Sequence, residues 1–254
     1  MDTPPAKVVA QLAPTGVLRA GINLSNFLLV TGRTDAGDPV GVSPDMAAEV
    51  AKRLGVPLVL VPFESPGLVA DAVGTGRWDI ALIGAEPQRA ETIRFSPAYV
   101  EIEATYLVPS GSPIRTIDEV DRPGVRIAVS ERSAYGLWLQ RNLVHATLVA
   151  GGSIQGSLDA FVDGGLEALA GLRTRLLQDV QTVAGSRILD GKFSSVQQAI
   201  GTEPDRVEGA AFLRDFVESA KASGLVAAAI ARHRVEGLSV APPDPGGPGN
   251  EAQG

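Results

Sequence analysis

Along the chain, apolar runs of strand length alternate with stretches in which apolar residues recur at i, i+3 and i+4. Residues 17–22 predict a first strand. After a loop carrying Gly32, Gly37 and Gly41, Ser43 is placed to cap a helix that begins on Pro44 and stops at Gly55, with Met46, Val50 and Leu54 on one buried face. Residues 56–63 form a continuous apolar run with Pro57 and Pro62 near its ends, which predicts a buried strand. A short helix over 68–73, a Gly74-Thr75-Gly76 stop and a strand over 78–83 complete two βα units.

Residues 102–108 predict another strand, and Pro109, Gly111 and Pro113 then break the pattern before a second series opens at 125–129. That series holds a helix after Ser133, strands near 147–149 and 166–170 around a helix at 158–162, a helix near 174–180, a short strand at 187–189 and a return strand over 193–200. Two further helices follow, Val207–Ala222, with Leu213, Phe216, Val217 and Ala220 on one face, and another from Gly224 as far as His233. The alternation predicts an α/β fold of mainly parallel sheets flanked by helices.

Composition narrows the partners. The 254 residues carry 22 basic and 29 acidic side chains, a formal charge of −7, which argues against nucleic acid or an anionic membrane surface as a partner. No apolar run approaches the ~18 residues that span a bilayer. The absence of cysteine removes disulfides, thiol nucleophiles and thiolate metal sites. Residues 1–16 contain no apolar stretch of secretory-signal length, so a cytoplasmic placement stays open. The tail over 241–254, rich in Pro and Gly, is expected to be disordered.

Catalytic chemistry is sparse. His145 and His233 lack the spacing of metal ligands and read as structural, and no metal or cofactor is expected. No Gly-x-Ser-x-Gly elbow occurs, and Gly74-Thr75-Gly76 reads as a helix stop. Glu101 and Glu103 alternate along a strand and share a face, either as an acid–base pair or as a solvated edge. More informative is the end of the 78–83 strand, where Gly84, Glu86 and Pro87 lead into a turn bearing Arg89. In open α/β sheets ligands bind beyond the carboxyl ends of strands, and a guanidinium there offers a fork of donors matching a carboxylate. A second anion-favouring place is Ser130-Glu131-Arg132-Ser133, where Ser133 either helps hold an anion or simply caps a helix.

Four segments resemble one known family: Leu18-Arg19-Ala20-Gly21; Gly41-Val42-Ser43-Pro44-Asp45-Met46 leading into Ala51-Lys52-Arg53-Leu54-Gly55-Val56; Gly76-Arg77-Trp78-Asp79-Ile80; and Pro87-Gln88-Arg89-Ala90 with Phe95-Ser96-Pro97-Ala98-Tyr99. Together they resemble the type II periplasmic solute-binding proteins, specifically the amino-acid-binding family of ABC importers. The resemblance implies two α/β lobes joined by hinge strands near 105–108 and 195–199, closing on a solute in an inter-lobe cleft. It implies an N-terminal extension over 1–16, a first lobe from 17–107 and 198–240, and a second over 108–197. It also implies a periplasmic or extracytoplasmic monomer, an ABC-transporter membrane partner and no catalysis.

In that family the Arg of the Pro-x-Arg turn grips the ligand's α-carboxylate, which maps to Arg89. The family's Gly-Thr or Gly-Ser helix start is Arg132-Ser133 here, and the acid that pairs with the ligand's α-ammonium is replaced by Leu172. An apolar side chain cannot stabilise a desolvated ammonium, so the resemblance points toward a small carboxylate lacking one. The alternative is an amino acid whose ammonium meets Glu86, Glu101 or Glu103. Asn23, Asn26 and Phe27 stand where the family has an aromatic loop, and either line the cleft or pack the loop. Two other functions fit the resembled fold: a dehydratase acting on cyclic carboxylic acids, with Glu101 or Glu103 as proton donor, and a cytoplasmic ligand-binding regulator without a transporter.

Overall fold

The structure, a computed structural model, describes residues 4–245, so the expected disorder of the tail falls outside it from residue 246 onward. The chain forms two compact units, one from Met1–Glu101 and Gln197–Gly254, the other from Ile102–Val196. It passes from the first into the second once and returns once.

The first unit opens with α1 (Ala6–Leu12) and β1 (Leu18–Asn23), followed by the two-residue strands β2 (Gly32–Arg33) and β3 (Pro39–Val40). Helix α2 (Val42–Leu54), β4 (Leu58–Phe63), α3 (Pro66–Asp71), β5 (Ile80–Gly84) and the single turn α4 (Pro87–Ala90) follow. Strand β6 (Arg94–Val108) then carries the chain into the second unit. There a 3-10 turn at Ile117–Glu119 precedes β7 (Arg126–Val129), α5 (Ala134–Asn142), β8 (Thr147–Ala150), α6 (Ile154–Asp163), β9 (Ala168–Leu172), α7 (Arg173–Asp179) and β10 (Arg187–Ile188). Strand β11 (Ser194–Thr202) returns to the first unit, which ends with α8 (Val207–Ala222), α9 (Leu225–Arg232) and β12 (Leu238–Val240). Among the described residues no helix is long and apolar enough to cross a membrane.

In the first unit the strand order is β4-β1-β5-β11, with β1 parallel to β4 and β5 and β11 antiparallel to β5. Alternate β1 residues Leu18, Ala20 and Ile22 join Met46, Val50, Leu213 and Phe216 in one core. Trp78, Val69, Ala81 and Ile83 form a second. The second unit runs β6-β9-β7-β8, with β9 antiparallel to β6 and parallel to β7. Its core gathers Leu107, Leu158, Phe161, Leu169 and Leu176.

One clasp occurs in each unit. In the first, Arg19 donates its backbone N–H and Nε to Asp79 Oδ2, both at 2.9 Å, and its Nη2 to Oδ1 at 2.7 Å. In the second, Arg126 donates its backbone N–H and Nε to Glu167 Oε2, at 2.8 and 2.9 Å, and its Nη2 to Oε1 at 2.8 Å. The acid just before the third parallel strand thus holds the start of the first, twice, in a bidentate geometry that fixes both register and charge. Asp79 is fully buried and is shared with Arg206 at 3.2 Å.

Two local expectations are corrected and one element is added. Helix α2 is capped by Gly41, and Ser43 sits inside it with its hydroxyl 2.8 Å from that of Tyr99. A Cβ at Gly41 would lie 2.2 Å from the Leu29 carbonyl oxygen at a φ of 154°, so close approach of the preceding loop selects glycine. Strand β4 is an edge strand, pairing only with β1 on the sheet path, which leaves Val59 45% exposed and tolerates Pro62. Helix α1, unpredicted, is short and gains its order by packing: Leu12 lies against Gly209, and Gln11 Oε1 accepts from the Gly209 N–H at 2.7 Å.

Candidate functional site

In the first unit the chain runs from β1 through α2 to β4 on one side and from β4 through α3 to β5 on the other. The carboxyl ends of β1 and β5 therefore form a topological switch point, the place where open α/β sheets leave a crevice. Parallel pairing of Ile22 with Leu82 puts Asn23 beside Ile83, one residue before Gly84. Pro87 starts α4 there because its fixed φ suits a first helical position. Arg89 on that turn folds back and donates Nη1 to the Gly84 carbonyl at 2.7 Å, with only 5% of the residue exposed. A buried guanidinium at the end of a strand carries one fixed positive charge and five donors.

The β1 loop is built from two Asx turns. Asn23 Oδ1 accepts from the Ser25 N–H at 3.2 Å and from its hydroxyl at 2.8 Å, and Asn26 Oδ1 accepts from the Leu28 N–H at 3.3 Å. Both asparagines are buried, and Phe27 between Asn26 and Leu28 is half-buried. Glu86, buried as well, occupies the N-cap position of α4 without a side-chain capping bond.

In the second unit Ser133 and Leu172 stand at the carboxyl ends of the paired strands β7 and β9. The Ser133 hydroxyl donates to the Ser130 carbonyl at 2.8 Å and accepts from the Gly136 N–H at 3.0 Å, so its proton is already committed to the protein. Burial raises the pKa of the Tyr135 hydroxyl, with hydrogen bonds from Ser133 and Ser130 acting in the opposite sense. The backbone N–H groups of Ala134 and Tyr135, which open α5, find no acceptor among the described residues. Arg132, in place of the family's glycine, keeps the left-handed backbone that favours glycine, at φ 55°. Leu172 is buried, with no charge to offer an ammonium.

Glu103 is held by Arg173 Nε at 2.9 Å and lies 3.7 Å from Lys192, so two cations neutralise it. Glu101 belongs to the other unit and accepts from Gln197 Nε2 at 2.9 Å. The two strand carboxylates, adjacent in the pattern, thus have separate partners. His145 is exposed, and His233 Nε2 lies 2.9 Å from Asp45. No group of three or more His, Cys, Asp or Glu among the described residues is placed to hold a metal.

The structure thus brings Asn23, Gly84, Glu86 and Arg89 to one edge of the first unit, and Ser133 and Leu172 to one edge of the second. The backbone donors of α5 lie at the anion-favouring place that the sequence marks at residues 130–133. The only signal for them is the Ser133 cap itself, which satisfies the third N–H and leaves the first two.

Comparison with known proteins places this arrangement. The family model described as bacterial extracellular solute-binding proteins, family 3, matches residues 21–234. A cyclohexadienyl dehydratase of Pseudomonas aeruginosa is 29% identical over 143 residues, 55% of this chain and 53% of that protein. The chain therefore spans about half the length of that curated relative. Among solved structures, an L-arginine-bound substrate-binding protein of an amino acid ABC transporter from Streptococcus pneumoniae superposes with a TM-score of 0.70 at 19% identity, covering 93% of this chain and 100% of that one. An ancestral amino acid-binding protein, described as a precursor of cyclohexadienyl dehydratase, also gives 0.70 at 19% identity, covering 90% and 99%. Likeness at that identity establishes a shared two-lobed α/β fold. With the family match running through both units, the chain belongs to the bacterial extracellular solute-binding proteins, family 3.

Proposed function

We propose that this chain is a non-catalytic solute-binding protein that captures a small carboxylate for ABC-type uptake or sensing. The observation that carries the reading is Arg89: a guanidinium 5% exposed, anchored on the Gly84 carbonyl at the switch point. Arginine suits this place because its planar fork matches a carboxylate in two positions. The amino-acid-binding neighbours support a solute of amino-acid size. Leu172, and Glu103 neutralised by Arg173 and Lys192, favour an acid without an α-ammonium over a standard amino acid. The family description supports a working place outside the cytoplasm; delivery of the solute, by a monomer, to a transporter membrane component is part of the proposal.

A thermal-shift screen against small carboxylates and amino acids finds the solute, because a ligand selective for the folded state raises the melting point. Arg89→Ala is expected to weaken that solute by more than ~2 kcal/mol in calorimetry, since a charge-assisted bidentate contact is lost from a desolvated position. Unchanged affinity rejects the assignment. The dehydratase relative supports a second reading, an enzyme acting on a cyclic carboxylic acid. Product analysis after incubation separates the two: solute recovered intact and in stoichiometric complex fits the carrier, whereas turnover assigns the enzyme.

A further inference from the structure

We infer that the Arg89 edge of the first unit selects a carboxylate flanked by an oxygen acceptor, a 2-oxo acid, over one flanked by an ammonium, with Asn23 and Asn26 as the specificity-determining residues. The inference rests on the carboxylate reading above and names the chemical class of its solute.

The argument starts from the two Asx turns. An amide side chain has one acceptor end and one donor end. In Asn23 and Asn26 the acceptor end is fixed by backbone N–H groups two residues on, at 3.2 and 3.3 Å, and in Asn23 also by the Ser25 hydroxyl. The NH2 ends are thereby fixed as well, and neither makes a hydrogen bond among the described residues, although the residues are 9% and 7% exposed. Neither nitrogen is among the fully buried unsatisfied atoms of the described residues, so each still reaches solvent and is open to an acceptor that a solute brings.

Asn23 closes β1 beside the end of β5, where the Gly84 carbonyl holds Arg89, and Asn26 follows three residues later. Guanidinium and amide groups make this edge rich in donors. A carboxylate engages the guanidinium, and an oxo group on the next carbon supplies lone pairs for an amide N–H. An ammonium on that carbon supplies only further donors and leaves the amides unsatisfied. The competing demand comes from Glu86, the buried acid of the same edge, which favours an ammonium.

Three probes of one size decide between these demands: 2-oxobutanoate, butanoate and L-2-aminobutanoate, titrated calorimetrically into the full chain. The expected order is oxo acid tightest and amino acid weakest, with the outer pair separated by about tenfold or more. Asn23→Asp and Asn26→Asp keep the oxygen that closes each turn and replace the free donors with an acceptor. Each is expected to narrow or reverse that ratio while the melting temperature moves by only a few degrees. Tighter binding of L-2-aminobutanoate, or an unchanged ratio in both folded variants, overturns the inference; if a variant fails to fold, the wild-type order decides. If none of the three binds but benzoate, propanoate or succinate raises the melting point, the oxo-acid selectivity falls and the carboxylate reading stands. If no carboxylate binds, both fall.

Discussion

Ser133 has the position of a ligand-binding hydroxyl and the hydrogen bonds of a structural one. Its proton goes to the Ser130 carbonyl and its oxygen receives the Gly136 N–H. Removing such a cap costs about 1 kcal/mol. Ser133→Ala is therefore expected to lower stability in urea denaturation by that amount. Carboxylate affinity should stay within about threefold, a change of about 0.65 kcal/mol or less, because the hydroxyl has no uncommitted proton to offer a solute. A loss of affinity as large as that of Arg89→Ala, with stability unchanged, would show that the hydroxyl touches the solute. Arg132 next to it makes the complementary point: the residue departs from glycine while the backbone keeps the glycine conformation, φ 55°. A departure in the sequence pattern here leaves the geometry of the helix start in place.

At the scale of elements, the two Arg–acid clasps do the same work in unequal surroundings. Asp79 is fully buried, whereas the Glu167 side chain is about a third exposed. Hydrogen bonds from the Arg126 guanidinium hold the Glu167 carboxyl below its usual range. A depressed acid contributes stability that is complete above its unfolded pKa of about 4.3 and is lost as pH falls through the lower folded value. Glu167→Gln is therefore expected to destabilise the protein at pH 7 by about 1 kcal/mol or less, given the exposure. The gap to wild type should close progressively below about pH 4 in acid-titrated melts; a gap independent of pH counts against the clasp. The same elements show what was legible beforehand. Helix α8 was readable end to end because sixteen residues of helical period leave little ambiguity, and the turn that carries Arg89 was readable because Pro87 starts it. Helix α1 was not, since its order comes from Gly209 and Gln11 contacts nearly two hundred residues apart in sequence. The edge position of β4 depends on strand order, which an apolar run does not encode. The direction of the Asn23 and Asn26 amides depends on which backbone N–H groups the loop presents, a property of the folded loop alone.

At the scale of the whole molecule, an anionic solute meets a conflict between global and local charge. The chain carries −7, so a carboxylate about 20 Å from the charge centre is repelled by roughly 1.5 kcal/mol in unscreened water. Arg89 attracts the same group but is nearly buried, so it acts at short range and salt screens it little. The two terms respond differently to ionic strength. Near 0.15 M the screening length is about 8 Å, which removes most of the long-range repulsion and leaves the contact with the guanidinium. The association rate of a monocarboxylate is therefore expected to rise, by up to several-fold, between about 10 and 150 mM salt, while dissociation changes little. Stopped-flow binding across that range measures both. A steep fall in association would mean that exposed cations steer the solute in, and the assignment would then have to move from Arg89 to residues such as Arg132 on the exposed surface.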